Sequence, residues 1–197
     1  MSKTRVMLFF PHLNKIGGVE SCFLSFCKRF NQIYDITIGY DMDSNKDMIK
    51  QLSKYAKVEK QDVFIETDVF VQATMYPIGA HFIDCKKKGL WVHCIPFIYP
   101  NSIIEDKEFM KDIDFIVCVS DYCTKIIQDY GYPQAITINN DFNVEEIREL
   151  ANAYETPKYD YCYVGRLSTE KGINRIPKLA RKDRKKKIVI VGCPYEQ

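Results

Sequence analysis

The sequence predicts an α/β protein: a Rossmann-like parallel sheet with helices on both faces, followed by an incomplete second α/β domain. Three observations carry this expectation. Short continuous apolar runs, such as Val6–Phe10 and Phe115–Val119, suit strands buried on both faces of a parallel sheet. Helical stretches alternate with such runs along the chain. A glycine pair, Gly17-Gly18, separates the first strand from the first helix, a geometry that turns a helix N-terminus toward an anion or a sugar.

The 197 residues allow one full domain and part of another. With 46% hydrophobic and 13% aromatic residues the chain can build a sizeable core and is not disordered. The net charge of +2 makes no global electrostatic case for nucleic acid, so no nucleic-acid partner is expected. Eight cysteines occur, at 22, 27, 85, 94, 118, 123, 162 and 193, with no C-x-x-C pair, which argues against a zinc ribbon. They read as buried free thiols of a reducing cytoplasm. Val6–Phe10 is too short for a signal peptide and Pro11 ends it. No run approaches the length needed to span a bilayer. The expected location is cytoplasmic.

In order, Val6–Phe10 is the first strand. Val19, Cys22, Phe23, Phe26, Cys27 and Phe30 recur at helical spacing after the glycine pair and give a wide apolar face. Tyr34–Tyr40 alternates and reads as the second strand, Asp41–Asp47 as a charged loop, and the residues near Asp47–Tyr55 as a helix. Asp68–Thr74 is the third strand. A short helix is expected over Ile78–Lys87, then a fourth strand at Leu90–Cys94. The last residues of that strand face the C-terminal edge of the sheet, where open α/β sheets bind ligands. His93 is therefore a candidate functional residue, with a satisfied core histidine as the alternative; His12 and His81 read as structural or surface residues. Asp106–Asp112 is expected to be helical and Phe115–Val119 a strand. Ser120-Asp121 then caps a helix over Tyr122–Tyr130 that Gly131 and Pro133 stop. Ala135–Asn139 closes the sheet, and Asn143–Ala151 is amphipathic. The first domain is thus placed at 1–153, with a proline-bearing hinge at 154–158.

The second domain, 159–197, opens with a strand at Tyr161–Val164 and a glycine turn. Arg166 and Lys171 sit in the connection, bracketed by Gly165 and Gly172. Glycines let backbone approach an anion, a helix start offers N–H groups, and two cations supply charge, which together suit phosphate. Pro177 is tolerable only in a first helical turn, so the following helix starts no earlier than Asn174. Lys187–Gly192 is the next strand.

The string Val164–Gly172 (VGRLSTEKG) resembles the opening of the C-terminal domain of family 4 glycosyltransferases, retaining enzymes with the two-domain GT-B fold. Gly17-Gly18-Val19-Glu20 is similar to the family's paired glycine after the first strand. Trp91-Val92-His93 matches its W-x-H context, and Asp114–Tyr122 its strand and capped helix. The resemblance implies that Arg166 and Lys171 hold the diphosphate of a nucleotide-sugar donor, a substrate rather than a cofactor, with no metal. It implies that His93 is catalytic, near the reacting centre, and that Gly17 and Gly18 serve the acceptor side. The acceptor would be a saccharide or a lipid-linked molecule, with the loop of the second domain facing His93 and the glycine pair across a cleft.

The sequence departs from that family where its second domain would continue. The family carries two glutamates separated by seven residues, and no pair here has that spacing. The chain alone is therefore expected to transfer no sugar. A non-catalytic Rossmann-like binding module, or one half of a split transferase, is the alternative. The basic runs Arg181–Lys187 and Lys86–Lys88 read as solvated loops, or as contacts to anionic headgroups that would place the protein peripherally at the inner face of a membrane. A dinucleotide oxidoreductase is disfavoured, since GGVES lacks the G-x-G-x-x-G spacing.

Overall fold

The computed structural model describes residues 2–14, 17–61, 64–75, 82–95, 102–153 and 157–192. It contains β1 (Arg5–Phe9), α1 (Gly18–Phe30), β2 (Asp35–Tyr40), α2 (Lys46–Leu52), β3 (Lys57–Lys60), β4 (Phe64–Gln72) and β5 (Phe82–Val92). These are followed by α3 (Lys107–Lys111), β6 (Phe115–Cys118), α4 (Asp121–Asp129), β7 (Ala135–Thr137) and α5 (Val144–Asn152). Last come β8 (Tyr161–Val164), α6 (Ile176–Lys182) and β9 (Ile188–Val191).

Strands β1 to β7 form one seven-stranded sheet in the order β3-β2-β1-β4-β5-β6-β7, parallel at every pairing. The expected α/β class is what the chain adopts. Continuous apolar strands arise because both faces are covered. In β1, Val6 and Leu8 pack with Phe23, Cys27, Met48 and Leu52 of α1 and α2, while Met7 and Phe9 pack with Ile65 and Phe70. In β5, Leu90 and Val92 join Met110, Ile116, Cys118, Cys123 and Ile127, on the side covered by α3 and α4. Trp91, between them, points to the α1 face. Side chains close the helix starts: Asn45 accepts from the Asp47 and Met48 N–H groups, Asp106 from Phe109, and Ser120 from Cys123.

Two elements differ from the expectation. No helix occupies 82–87; those residues are the first half of β5, and 78–81 lie outside the described residues. The strand wins because β4 offers a parallel partner along its length, from Phe64 opposite Phe82 to Gln72 opposite Leu90. The three lysines are tolerated because each meets a carboxylate: Lys86 with Asp68 at 3.1 Å, Lys87 with Asp114 at 2.6 Å and Lys88 with Asp112 at 3.7 Å. The Arg5 backbone N–H, followed by the Lys86 ammonium, brings the Asp68 carboxyl down to about 2. The second difference is β3. Its sequence, Lys-Val-Glu-Lys, shows no apolar period and is a strand only because β2 supplies the ladder at the sheet edge.

The chain divides into two compact units, Met1–Phe142 and Asn143–Gln197, with α5 in the second. In the second unit β8 and β9 pair in parallel, from Tyr161 opposite Ile188 to Val164 opposite Val191. The basic run forms the end of α6 and the turn into β9. Its Lys186 Nζ and Lys187 N–H both donate to the Asp160 carboxylate, at 2.9 and 2.8 Å. Among the described residues no helix is long and apolar enough to cross a membrane.

Candidate functional site

In the first unit the strand order reverses between β1 and β4, one running out to β3 and the other to β7. The C-terminal ends of strands flanking such a reversal are where open α/β sheets hold ligands. The connection from β1 to α1 lies at that edge. Gly17 is the N-cap of α1, with extended backbone, and Gly18 is its first residue. Glu20 in the first turn is buried, only 2% exposed. Its Oε1 accepts the Asn14 N–H at 2.7 Å, so the carboxylate ties the loop before the helix to the helix itself. A Cβ on Gly17 would lie 1.9 Å from Glu20 Oε2, whereas a Cβ on Gly18 would meet nothing within 4 Å. Gly17 is glycine to seat a carboxylate, and Gly18 leaves open space. Gly17→Ala is thus expected to destabilise the protein by about 1–3 kcal/mol through the displaced charged hydrogen bond. Gly18→Ala should be neutral, or stabilising by up to about 1 kcal/mol. Urea unfolding of the two variants checks this; equal effects would show that no clamp exists.

His93 directly follows β5, at the same C-terminal edge as the β1–α1 loop. Its ring lies against Trp91, with centroids 4.8 Å apart and the planes tilted by 40°, and Trp91 packs on Phe23 and Phe26 of α1 at 6.0 and 6.2 Å. The indole thus ties His93 to the helix that begins at the glycine pair. His93 is half-buried, and its Nε2 has no hydrogen-bond partner among the described residues. Burial brings its pKa down to about 4, so the imidazole is neutral near pH 7. It can exchange hydrogen bonds there but does not bring a positive charge. The linkage has a definite sign. A histidine whose folded pKa lies below its ordinary value near 6.5 costs nothing above that pH, and stability falls as pH drops from about 6.5 toward 4. Over that window His93 should account for about 3 kcal/mol of lost stability. Urea midpoints measured across it for the protein and for His93→Gln should converge toward the acid end; parallel curves would refute the assignment. Of the other histidines, His12 lies against Phe10 at 5.3 Å, and His81 is outside the described residues.

In the second unit Arg166 and Lys171 lie on one loop between β8 and α6. Gly165 and Gly172 both take positive φ, +151° and +79°, the region that favours glycine. A tight chain of backbone bonds shapes the loop: Ser168 N–H to Arg166 O at 2.9 Å, Lys171 N–H to Ser168 O at 3.1 Å, and Gly172 N–H to Thr169 O at 2.9 Å. The Tyr163 hydroxyl also donates to the Arg166 carbonyl. A Cβ on Gly192, just past β9, would stand 2.0 Å from the Gly165 carbonyl oxygen, so a second glycine is needed where the loop leaves the sheet. Pro177 falls in the first turn of α6, where its missing N–H is harmless.

The five sequence candidates therefore form two groups. Gly17, Gly18 and His93 share one edge of the first sheet, and Arg166 and Lys171 share one loop of the second unit. Glu20 and Trp91 were not singled out, although both stand inside quoted strings. Glu20 follows the glycine pair by two residues, and Trp91 precedes His93 by two, the spacing that puts both side chains on one face of a strand. A cleft of about 850 Å³ lined by Lys3, Arg5, Asp68 and Lys86 opens beside the first residues of β1 and β2, at the opposite edge. Its Arg5 and Lys86 are already paired with carboxylates.

A parallel Rossmann-like sheet followed by a second α/β unit is the GT-B type of fold, and solved glucosyltransferase structures share it. The chain is similar to an alpha-glucosyltransferase in complex with UDP-glucose and DNA containing an abasic site, with TM-score 0.55, 10% identity, and coverage of 98% of this chain and 58% of that one. A second, an alpha-glucosyltransferase with UDP and a 13-mer DNA containing a HMU base, gives TM-score 0.54 at 12% identity, covering 98% and 57%. A third, with UDP and a 13-mer DNA containing a central A:G mismatch, gives 0.53 at 12%, covering 97% and 56%. The chain thus spans somewhat over half the length of these neighbours. No family model and no curated protein matches it. One expectation is corrected here: the exclusion of nucleic acid does not stand, since the neighbours sharing this fold were solved with DNA. A net charge near zero sums over the whole chain and is blind to the local clusters that meet phosphates.

Proposed function

We propose that the chain belongs to a nucleotide-sugar-dependent glycosyltransferase of the family 4 type, with the acceptor side in its first unit and the donor-diphosphate loop in its second. The observation that carries this reading is the loop after β8, where Arg166 and Lys171 stand between two glycines of positive φ. As the glycosidic bond of the donor breaks, the departing diphosphate gains negative charge, and cations already held in place stabilise it without reorganisation. A neutral His93 at the edge of the first sheet suits hydrogen bonding to a sugar hydroxyl rather than charge neutralisation. Saccharides and lipid-linked molecules are the proposed acceptors, and DNA joins the set to be tried because the neighbours were solved with it.

Calorimetric titration of the 197-residue chain with uridine, adenosine and guanosine diphosphates and their glucose conjugates tests the proposal. Saturable binding that is lost with the diphosphate is the expected result. Absence of binding to all of them at millimolar ligand overturns it.

A further inference from the structure

Charge is divided unequally between the two units. Residues 143–197 carry twelve Lys and Arg against eight Asp and Glu, whereas residues 1–142 carry sixteen against eighteen. The excess is concentrated between Lys178 and Lys187, where seven of ten residues are basic and one, Asp183, is acidic. Lys178, Arg181 and Lys182 lie three and four positions apart and so share one face of α6, while Ile176 and Leu179 of the same helix are half-buried. Arg184 and Lys185 continue the cluster in the turn into β9. All five cations are exposed, and among the described residues none of the five reaches a carboxylate. The Lys86–Lys88 run differs, since each of its lysines meets one. Lys186 is anchored on Asp160, immediately before β8, which sets the turn at the edge where β8 and β9 begin. The loop of Arg166 and Lys171 follows the end of β8, at the other edge, so the cluster is separate from it.

We propose that this face of α6 and the turn after it dock reversibly on an anionic lipid surface. Unpaired lysine and arginine clustered on an amphipathic helix are drawn to acidic headgroups, and the attraction fades beyond a Debye length. The chemistry of the face favours lipid over nucleic acid. From Arg175 to Lys187 there is no aromatic side chain to stack on a base, and no Asn, Gln, Ser or Thr to read a base edge. What the face offers is charge alone, gathered on one short helix and its turn, and a plane of acidic headgroups asks for nothing more. A polybasic cluster acting without an acyl chain holds a membrane only weakly, so the contact is reversible and salt-sensitive. The inference does not depend on the sugar-transfer reading, since it is drawn from the charge and position of these residues alone.

Co-sedimentation of the 197-residue chain with vesicles tests the proposal, using phosphatidylcholine alone and phosphatidylcholine mixed with phosphatidylglycerol, each at low and high salt. The chain should partition onto the mixed vesicles only and be released by salt. Each neutralised cation should lower the partition coefficient about fivefold, so Arg184→Gln combined with Lys185→Gln should lower it about 25-fold. Lys50→Gln combined with Lys54→Gln makes the same change of net charge at exposed positions of the first unit and should leave partitioning nearly unchanged. The proposal is overturned if the mixed vesicles retain no more protein than the neutral ones, or if the two double variants lose partitioning equally. It is also overturned if the turn variant loses affinity for a DNA duplex of random sequence but keeps that for the mixed vesicles, which would make the face a nucleic-acid surface. Should the turn variant fail to fold, Arg181→Gln combined with Lys182→Gln gives the same reading from the face of α6.

Discussion

Arg166→Ala and Lys171→Ala should each weaken binding of uridine diphosphate by about 10- to 100-fold. A charge-assisted hydrogen bond to phosphate contributes about 1.5–3 kcal/mol, and each 1.4 kcal/mol is a factor of ten. The two cations leave one short loop whose shape is fixed by backbone bonds and by glycines at positions 165 and 172. Truncating either side chain removes a positive charge from that loop, and urea unfolding of each variant checks that the scaffold is kept. The alternative is diffuse attraction to the basic run at the end of α6, which contains Arg181 and Lys182. Titrations of Arg181→Ala and Lys182→Ala separate the two. If these weaken binding as much as the loop variants do, the loop is not a phosphate site. On the proposed sugar transfer, the same loop substitutions should cost about 2–4 kcal/mol of transition-state stabilisation, as for one lost preorganised donor.

Phe70→Ala is expected to have the largest effect on stability, about 3–5 kcal/mol. Phe70 is fully buried in β4, with its ring 6.1 Å from that of Phe9 in β1, and Met7 and Ile65 complete the cluster. It fills the sheet face at the boundary between β1 and β4, where the strand order reverses, so a cavity there weakens the junction of the two halves of the sheet. Phe64, six residues earlier in the same strand, is 60% exposed. Phe64→Ala should stay within about 0.5 kcal/mol. Urea unfolding of both variants checks the contrast. Similar losses would mean that the Phe9–Phe70 cluster does not carry the sheet.

Much of the fold was legible because its signals are local. Val6–Phe10 and Phe115–Val119 read as strands since a strand covered on both faces must be apolar throughout. Ser120 read as a cap because its side chain serves an N–H only three residues on. The loop around Arg166 and Lys171 read as an anion site because the two cations and both glycines lie within eight residues of sequence. β5 was different. Its run of three lysines carries no apolar signal, and the carboxylates that make it tolerable, Asp68, Asp112 and Asp114, come from distant sequence. β3 was hidden for the same reason, its ladder being supplied by β2.

The sequence by itself determined the class of the fold, the covered strands, the helix caps and the glycine turn that carries Arg166 and Lys171. Each of these depends on residues within a few positions of one another, where backbone geometry and side-chain chemistry act directly. Only the tertiary structure decided the strand order, the seating of Glu20 under Gly17, and the packing of His93 against an indole anchored to α1. Those features depend on which segments pack together, and burial, which disfavours charge on His93 and the displacement of Glu20, exists only once the sheet and its helices have closed over them.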